Sequence, residues 1–147
     1  MSLSVKPSPA LKRLALRLRE APKRIQRIAA KNVAAAVEEL IDEGFRQRKD
    51  PYGKRWTPPK DGGTPMERTG RLRSGFRVRV VPGGAGFSVE ITNKAEYAQW
   101  LQRGAVGLEA RMMVPGARMS ATWKRRIDDV YAAAIEEWYR GMRGEFR

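Results

Sequence analysis

The chain contains no cysteine and no histidine among its 147 residues. Without cysteine it can form no disulfide and has no thiol nucleophile, and without either residue type it lacks the usual ligands of zinc and of iron–sulfur clusters. The commonest general base at neutral pH is also absent, so an enzyme would have to work with carboxylates, lysine, arginine, serine or tyrosine. We therefore expect a protein that is not an enzyme and that holds no metal or other cofactor.

Long apolar runs are also missing. No stretch of about eighteen apolar residues occurs, which predicts that the chain has no transmembrane span. The N-terminal leucines are interrupted by basic residues, so we expect no secretory signal. The length suits a single domain over residues 1–147.

Acidic residues are outnumbered, with 16 Asp and Glu against 30 Lys and Arg, and the formal net charge is +14. Such a surface attracts polyanions, namely nucleic acid, an anionic membrane or an acidic protein face. The alternative interpretation is a solvated surface with no role in nucleic-acid binding.

Helical periodicity dominates the N-terminal third of the chain. After a flexible leader at residues 1–9, leucines at helical spacing predict a first helix from Ala10, which Pro22 interrupts. Proline is tolerated in a first helical turn, so a long second helix is expected to start near residues 21–23. Its apolar stripe consists of Ile25, Ile28, Ala29, Val33, Ala36, Val37, Leu40, Ile41 and Phe45.

The charges of this second helix are ordered against its dipole, which favours acids at the start and bases at the end. The basic residues come first (Lys23, Arg24, Arg27 and Lys31) and the acidic ones last (Glu38, Glu39, Asp42 and Glu43). Either partner surfaces explain this order, or solvent screens the charges and the order has no meaning. The four acids lack the histidine that a transition-metal site prefers, and we interpret them as a solvated or inter-subunit face.

The stretch from Asp50 to Phe76 holds four prolines and five glycines. Proline lacks a backbone donor and glycine resists ordering, so the stretch is predicted to be neither a helix nor a long strand. We expect an extended loop or arm over residues 49–75. Residues 62–64 (Gly-Gly-Thr) lack the spacing and the lysine of a phosphate-binding loop, which argues against nucleotide binding.

Alternating apolar and polar residues follow, and they predict an antiparallel β-hairpin over residues 76–92 with a glycine-rich turn. Arg77 and Arg79 are expected on the face of the first strand that points away from the core. The apolar residues on the other face are Phe76, Val78 and Val80 in the first strand and Phe87, Val89 and Ile91 in the second.

Two more helices are predicted after the hairpin. The first is short, over residues 95–104, with Tyr97, Trp100 and Leu101 on its buried side and Gly104 as a left-handed cap. The pattern over residues 105–119 does not decide between a strand and an extended loop. Ser120 is expected to cap a final amphipathic helix, residues 120–140, whose stripe is Trp123, Ile127, Val130, Tyr131, Ala134, Ile135 and Trp138.

The predicted fold class is therefore α+β. It comprises two N-terminal helices, one of them long, a long basic loop rich in proline and glycine, and a small antiparallel sheet built on the hairpin. A short helix and the C-terminal amphipathic helix complete it.

Several short motifs occur in a characteristic order over residues 23–140. They are a G-x-x-W-x-P loop, T-G-x-L-R-S, the hairpin, a Y-A helix that ends in glycine, and an Ala-Arg segment before the last helix. The matching positions are Gly53, Trp56, Thr69, Gly70, Leu72, Arg73, Ser74, Tyr97, Ala98, Gly104, Ala110 and Arg111. In this set the chain resembles the phage virion morphogenesis proteins, the neck and tail-completion family of long-tailed bacteriophages. It departs from the family pattern at Met112 and Met113, and in the basic leader before Pro22.

The resemblance implies structural work in the virion, at the neck or the top of the tail, after assembly in the host cytoplasm. It implies a homo-oligomeric ring, such as a hexamer or dodecamer, around the path of the DNA. The partners it implies are head-completion or connector proteins on one side and tail-terminator or tail-tube proteins on the other. Non-specific contact with genomic DNA is a further expectation, and no membrane partner is expected.

Two groups of candidate site residues follow. Trp56 is expected either to fold back over its own domain or to anchor in a neighbouring subunit. The arginines around residue 70 are expected to contact a carboxylate of a neighbouring subunit, a DNA phosphate or solvent. The candidate subunit-interface residues are Trp56, Arg68, Arg71, Leu72, Arg73, Tyr97, Trp100 and Arg111. The candidate DNA-facing residues, for which acidic protein neighbours are the alternative partner, are Lys12, Arg13, Arg17, Arg24, Arg27, Arg77 and Arg79.

A rival hypothesis from another class is a free, sequence-independent nucleic-acid-binding protein. It rests on the net charge alone, because no helix-turn-helix, zinc or RNA-recognition signature accompanies the charge.

Overall fold

The computed structural model describes residues 2–3, 23–60, 62, 70–83 and 86–145. Four helices and three strands occur in these residues, and the predicted α+β class is confirmed. The elements are β1 (Ser2–Leu3), α1 (Lys23–Gln47), α2 (Arg71–Ser74), β2 (Phe76–Gly83), β3 (Gly86–Asn93), α3 (Ala98–Arg103) and α4 (Ala121–Glu145). The predicted first helix and most of the leader lie outside the described residues.

The two long helices, α1 and α4, pack against each other in antiparallel orientation. Ile25 near the start of α1 packs against Ile135 late in α4, while Arg126 early in α4 contacts acids near the end of α1. Most of the predicted α1 stripe is buried, because it recurs at the helical period and faces both α4 and the sheet. Ile28 is the exception, since it points to solvent rather than into the core.

Helix α4 begins as predicted, with the Ser120 hydroxyl accepting a hydrogen bond from the Trp123 backbone N–H at 3.2 Å. This cap satisfies one of the unpaired donors in the first turn. The helix continues to Glu145, beyond the predicted end at Arg140. None of the helices that the structure describes combines the length and the apolar character needed to span a bilayer.

Strands β2 and β3 form the predicted hairpin, with Val78 paired to Ile91 and Val80 paired to Val89. The paired region extends to Gly83 and resumes at Gly86, so the strands are longer than the sequence pattern indicated. Pro82 is accommodated because β2 is an edge strand in the order β1-β3-β2. Residues 2–3, predicted as leader, pair with β3 as a two-residue strand.

The helices in the described part of the chain pack on one face of the sheet. Val89 and Ile91 are buried in one cluster with Val33 and Val37 of α1, and the Phe87 ring lies 5.9 Å from the Tyr131 ring of α4. Side chains alternate between faces along a strand, so the neighbouring positions point to the opposite face. There, as predicted, Arg77 and Arg79 are exposed.

Candidate functional site

Trp56 lies in the core of its own chain. Only 5% of its surface is exposed, and its ring meets the Phe45 ring edge-on at a centroid distance of 5.2 Å. The indole N–H donates a hydrogen bond to the Met112 carbonyl oxygen at 2.9 Å, which satisfies the buried donor. Trp56 therefore attaches the loop after α1 to the segment that follows α3.

Tyr52 forms a second attachment in the same loop. Its hydroxyl donates to the Arg118 carbonyl oxygen and accepts from the Gly116 backbone N–H at 3.0 Å. The Asp50 carboxylate accepts backbone N–H bonds from Tyr52 and Lys54, which closes the turn locally. The first part of the predicted arm is therefore held against the body of the protein.

Arg111 and Glu109 hold the end of this loop segment through Thr57. The Arg111 guanidinium donates to the Thr57 carbonyl oxygen at 3.0 Å, and the Thr57 hydroxyl donates to the Glu109 carboxylate at 2.7 Å. This hydrogen bond holds the pKa of Glu109 below its ordinary value, and the charge of Lys54 adds to the effect. Arg111 was predicted to lie at a subunit interface, but the hydrogen bonds that the structure describes for it lie within its own chain.

Gln102 is a buried side chain that the sequence analysis did not identify. Its amide donates to the Val114 carbonyl oxygen at 2.7 Å, and its carbonyl oxygen accepts from the backbone N–H groups of Met113 and Val114 at 2.8 and 3.3 Å. The backbone of Met113 and Val114 thereby forms with this side chain the kind of hydrogen bonds that it would form with a neighbouring strand. The sequence signal for its burial is its position four residues after Ala98, which places the two side chains on the same face of the helix.

The segment from Gly70 to Ser74, the described part of the T-G-x-L-R-S motif, leads directly into the sheet. Gly70 adopts a left-handed conformation (φ 69°), the single turn of α2 follows, and Leu72 is buried beneath it. The stretch from Asp50 to Phe76 was predicted to contain no helix, and the single turn of α2 corrects this prediction. The Ser74 hydroxyl donates to the Gly70 carbonyl oxygen at 2.8 Å, and the Arg73 guanidinium meets Asp42 of α1 at 3.1 Å.

Gly75 follows this segment, and replacing it by alanine is expected to destabilise the protein by about 1–3 kcal/mol. An added Cβ would lie 2.6 Å from the Asn93 side-chain oxygen and 2.8 Å from the Arg71 carbonyl oxygen, so the backbone would have to move. Urea unfolding measures the effect. Gly83→Ala is the matched control, since nothing lies within 4 Å of its added Cβ. Equal unfolding midpoints for the two variants would contradict the prediction.

The outer face of α3 carries exposed aromatic side chains. Tyr97 and Trp100 were predicted to be buried, and this is wrong, because they are 43% and 52% exposed. Ala98 and Gln102 occupy the buried face instead, since the hydrogen bonds of Gln102 turn that side of the helix toward the 113–114 segment. Gly104 has the positive φ expected of a cap (φ 79°), but its ψ of 164° is not left-handed helical. We call Tyr97 and Trp100 the aromatic surface.

A groove of about 830 Å³ lies beside the buried face of α3. Glu96, Gln99 and Arg103 line its polar side. Its apolar lining includes Phe76, Ala95, Ala98, Met112, Met113 and Pro115. The groove is open, and no cluster of carboxylates that could hold a metal ion is found in the described part of the chain.

The acidic end of α1 is paired within the chain. Arg126 of α4 contacts Glu39 at 3.4 Å and Glu43 at 3.0 Å, and Asp42 is paired with Arg73. These contacts tie α4 and α2 to α1, and each exposed pair contributes about 0.2–1 kcal/mol. Neither of the two explanations for the charge order, partner surfaces or solvent screening, was intramolecular pairing, yet such pairing accounts for three of the four acids, Glu39, Asp42 and Glu43.

The candidate DNA-facing residues do not form one surface. Arg24, Arg27 and Lys31 share the solvent-exposed face of α1, whereas Arg77 and Arg79 lie on the sheet face that is turned away from the helices. Arg79 is also paired with Glu90 across the strands at 3.0 Å. Lys12, Arg13, Arg17 and the candidate interface residue Arg68 lie outside the described residues.

Comparison with known proteins gave one match. A family model described as "Bacteriophage HK97-gp10, putative tail-component" matches residues 12–104. The matched range includes α1, the tryptophan loop, the hairpin and α3, and it ends before the Ala-Arg segment and α4. No curated protein and no solved structure matches the chain.

Proposed function

Because this chain belongs to the HK97-gp10-like family of phage tail components, we propose that it is a structural protein of the virion neck that completes the tail or joins it to the head. The family match over residues 12–104 carries the proposal, since it spans most of the elements that form the core. The chemistry of the chain supports it. The groove brings no pair of carboxylates together with a nucleophile, and the chain has no histidine to serve as a base.

The aromatic surface is the part of the chain that we assign to contact with other virion proteins. Exposed Tyr and Trp side chains are enriched at the centres of protein interfaces, where burying them contributes much of the binding energy. Trp56 and Leu72, by contrast, are buried within their own chain and have little surface left for a neighbour. Arg73 and Arg111 are half-buried and bonded internally.

We assign the chain to a ring around the DNA path, such as a hexamer or dodecamer. A closed ring needs two different surfaces on each copy, so that each copy meets its two neighbours in the same way. The aromatic surface is our candidate for one of them. Head-completion or connector proteins would lie on one side of the ring and tail-terminator or tail-tube proteins on the other.

Loss of the chain from the phage that encodes it is expected to yield separate heads and tails. Electron microscopy of lysates from a null mutant, with and without the chain supplied from a plasmid, measures this. Intact infectious particles from the null mutant would overturn the proposal.

The same complementation assay tests the aromatic surface. The double variant Tyr97→Ser/Trp100→Ser is expected to reduce phage yield by at least about tenfold, because each truncated interface aromatic costs about 2 kcal/mol or more. The matched control is Tyr139→Ser, which removes an equally exposed tyrosine (42%) from α4, outside this surface. Wild-type yield from the double variant, at wild-type protein levels, would remove this surface from the assembly interface.

A further inference from the structure

In the part of the chain that the structure describes, no acidic side chain pairs with the basic half of α1. Its acidic half is paired with Arg126 and Arg73, as described above. In contrast, Arg24, Arg27 and Lys31 are exposed and have no ion-pair partner among the residues that the structure describes. A charge order that opposes the helix dipole is unfavourable for the helix itself, and an anionic partner would compensate it.

These three residues form a single stripe, which we call the α1 basic stripe. They lie at positions i, i+3 and i+7 and therefore share one face over about 10 Å of helix. No acidic residue lies between Lys23 and Lys31, and the first turn of the helix contains none. The partial positive charge at the helix N-terminus adds to the field of these side chains.

The density of positive charge distinguishes between polyanions. Residues 12–31 contain eight Lys and Arg residues (Lys12, Arg13, Arg17, Arg19, Lys23, Arg24, Arg27 and Lys31) against the single acid Glu20. A duplex carries one phosphate per about 1.7 Å of its axis with both strands counted, so a length equal to that of the stripe carries about six phosphates, of which those on the near side face the stripe. A duplex repeats this charge along its whole length, and nucleic acid is therefore the better match for the run of basic residues at 12–31.

We propose that the α1 basic stripe binds the phosphate backbone of double-stranded nucleic acid without sequence preference, and that the arginines on the outer face of the sheet do not. The two groups lie on different elements, the stripe on the solvent-exposed face of α1 and the arginines on the sheet face turned away from the described helices. Among the described residues none of the three stripe cations has an ion-pair partner, whereas on the sheet Glu90 pairs with Arg79 and only Arg77 lacks a partner. Contacts to phosphate alone carry no sequence information, and they release the duplex readily as salt rises.

Fluorescence anisotropy with the full chain and a labelled duplex of random sequence tests this inference. The variant Arg24→Gln/Arg27→Gln removes two charges from the stripe, and Arg77→Gln/Arg79→Gln removes two arginines from the sheet as the matched control. Glutamine is a good helix former, so the helix is expected to persist, and circular dichroism verifies this. Because the assay contains no virion component, its result is independent of whether the chain joins heads to tails.

The stripe variant is expected to bind at least about tenfold more weakly than wild type near 0.1 M salt, with a salt slope lower by about 1–2, because each lost phosphate contact contributes about 0.9 to that slope. The sheet variant is expected to keep its slope and to stay within about threefold of wild type, because screening over a Debye length of about 10 Å limits the effect of distant charges.

Equal losses in both variants, or no duplex binding by wild type at 0.05 M salt, would overturn the proposal. A parallel titration with poly-L-glutamate covers the other partner. If the stripe variant loses binding to that polymer and not to the duplex, an acidic protein is the partner and the proposal is wrong.

Discussion

Replacing Trp56 by alanine is expected to lower the free energy of unfolding by about 3–5 kcal/mol. The substitution would leave a cavity beside Phe45 and remove the donor that satisfies the Met112 carbonyl oxygen. Whole domains are stable by only about 5–15 kcal/mol, so the loss is a large share of the total. Urea titration followed by circular dichroism measures it independently of the tryptophan signal that the variant lacks.

Two further variants separate the causes of this loss. Trp56→Phe keeps an aromatic ring but removes the hydrogen bond to Met112, and it is expected to cost about 1–3 kcal/mol. Trp100→Ala removes the same side chain from the exposed face of α3, and it is expected to change stability by less than about 1 kcal/mol. Similar losses from Trp56→Ala and Trp100→Ala would show that the loop is not held by its tryptophan.

The two tryptophans also show which part of the fold could be predicted from sequence. Long periodic segments were correctly identified, because the stripe of α4 and the alternation of β2 and β3 repeat often enough to define one buried face. Helix α3 has only six residues, and so short a segment defines two possible faces equally well. The internal hydrogen bonds of Gln102 decide between them, and no pattern in the sequence shows those bonds.

The candidate site was predicted less completely than the fold. Its motifs were identified in the correct order, and the family match confirms the resemblance that they carry. Their individual roles depend on contacts between distant residues. Trp56 reaches Met112, and Arg73 reaches Asp42. A linear pattern cannot distinguish such a contact from one with a neighbouring subunit, which is why residues that pack internally were expected at an interface.

The largest effect after that of Trp56 is expected at Gln102. Replacing it by leucine keeps the volume nearly unchanged but removes the partners of the Met113 N–H and the Val114 carbonyl oxygen. Each buried group left without a partner costs about 1–3 kcal/mol, so the variant is expected to lose about 2–5 kcal/mol of stability. Urea unfolding measures the loss. A cost below about 1 kcal/mol would indicate that water or a shifted backbone satisfies both groups.

The substitution Gln102→Glu tests the direction of these hydrogen bonds through pH. The introduced carboxylate could still accept from the Met113 N–H, but it would have no proton to donate to the Val114 oxygen, and burial disfavours its charge. Its pKa is therefore expected to be higher in the folded state than in the unfolded state, where it is about 4.3. Since a raised folded pKa gives stability that is present at low pH and lost as the pH rises, the variant should approach wild type near pH 4 and fall below it by pH 8.

The difference in unfolding free energy between variant and wild type at the two pH values measures this. Gln102→Leu, which does not titrate, should show the same deficit at both. A pH-independent deficit in Gln102→Glu would contradict the assignment of the Gln102 amide as the donor to Val114.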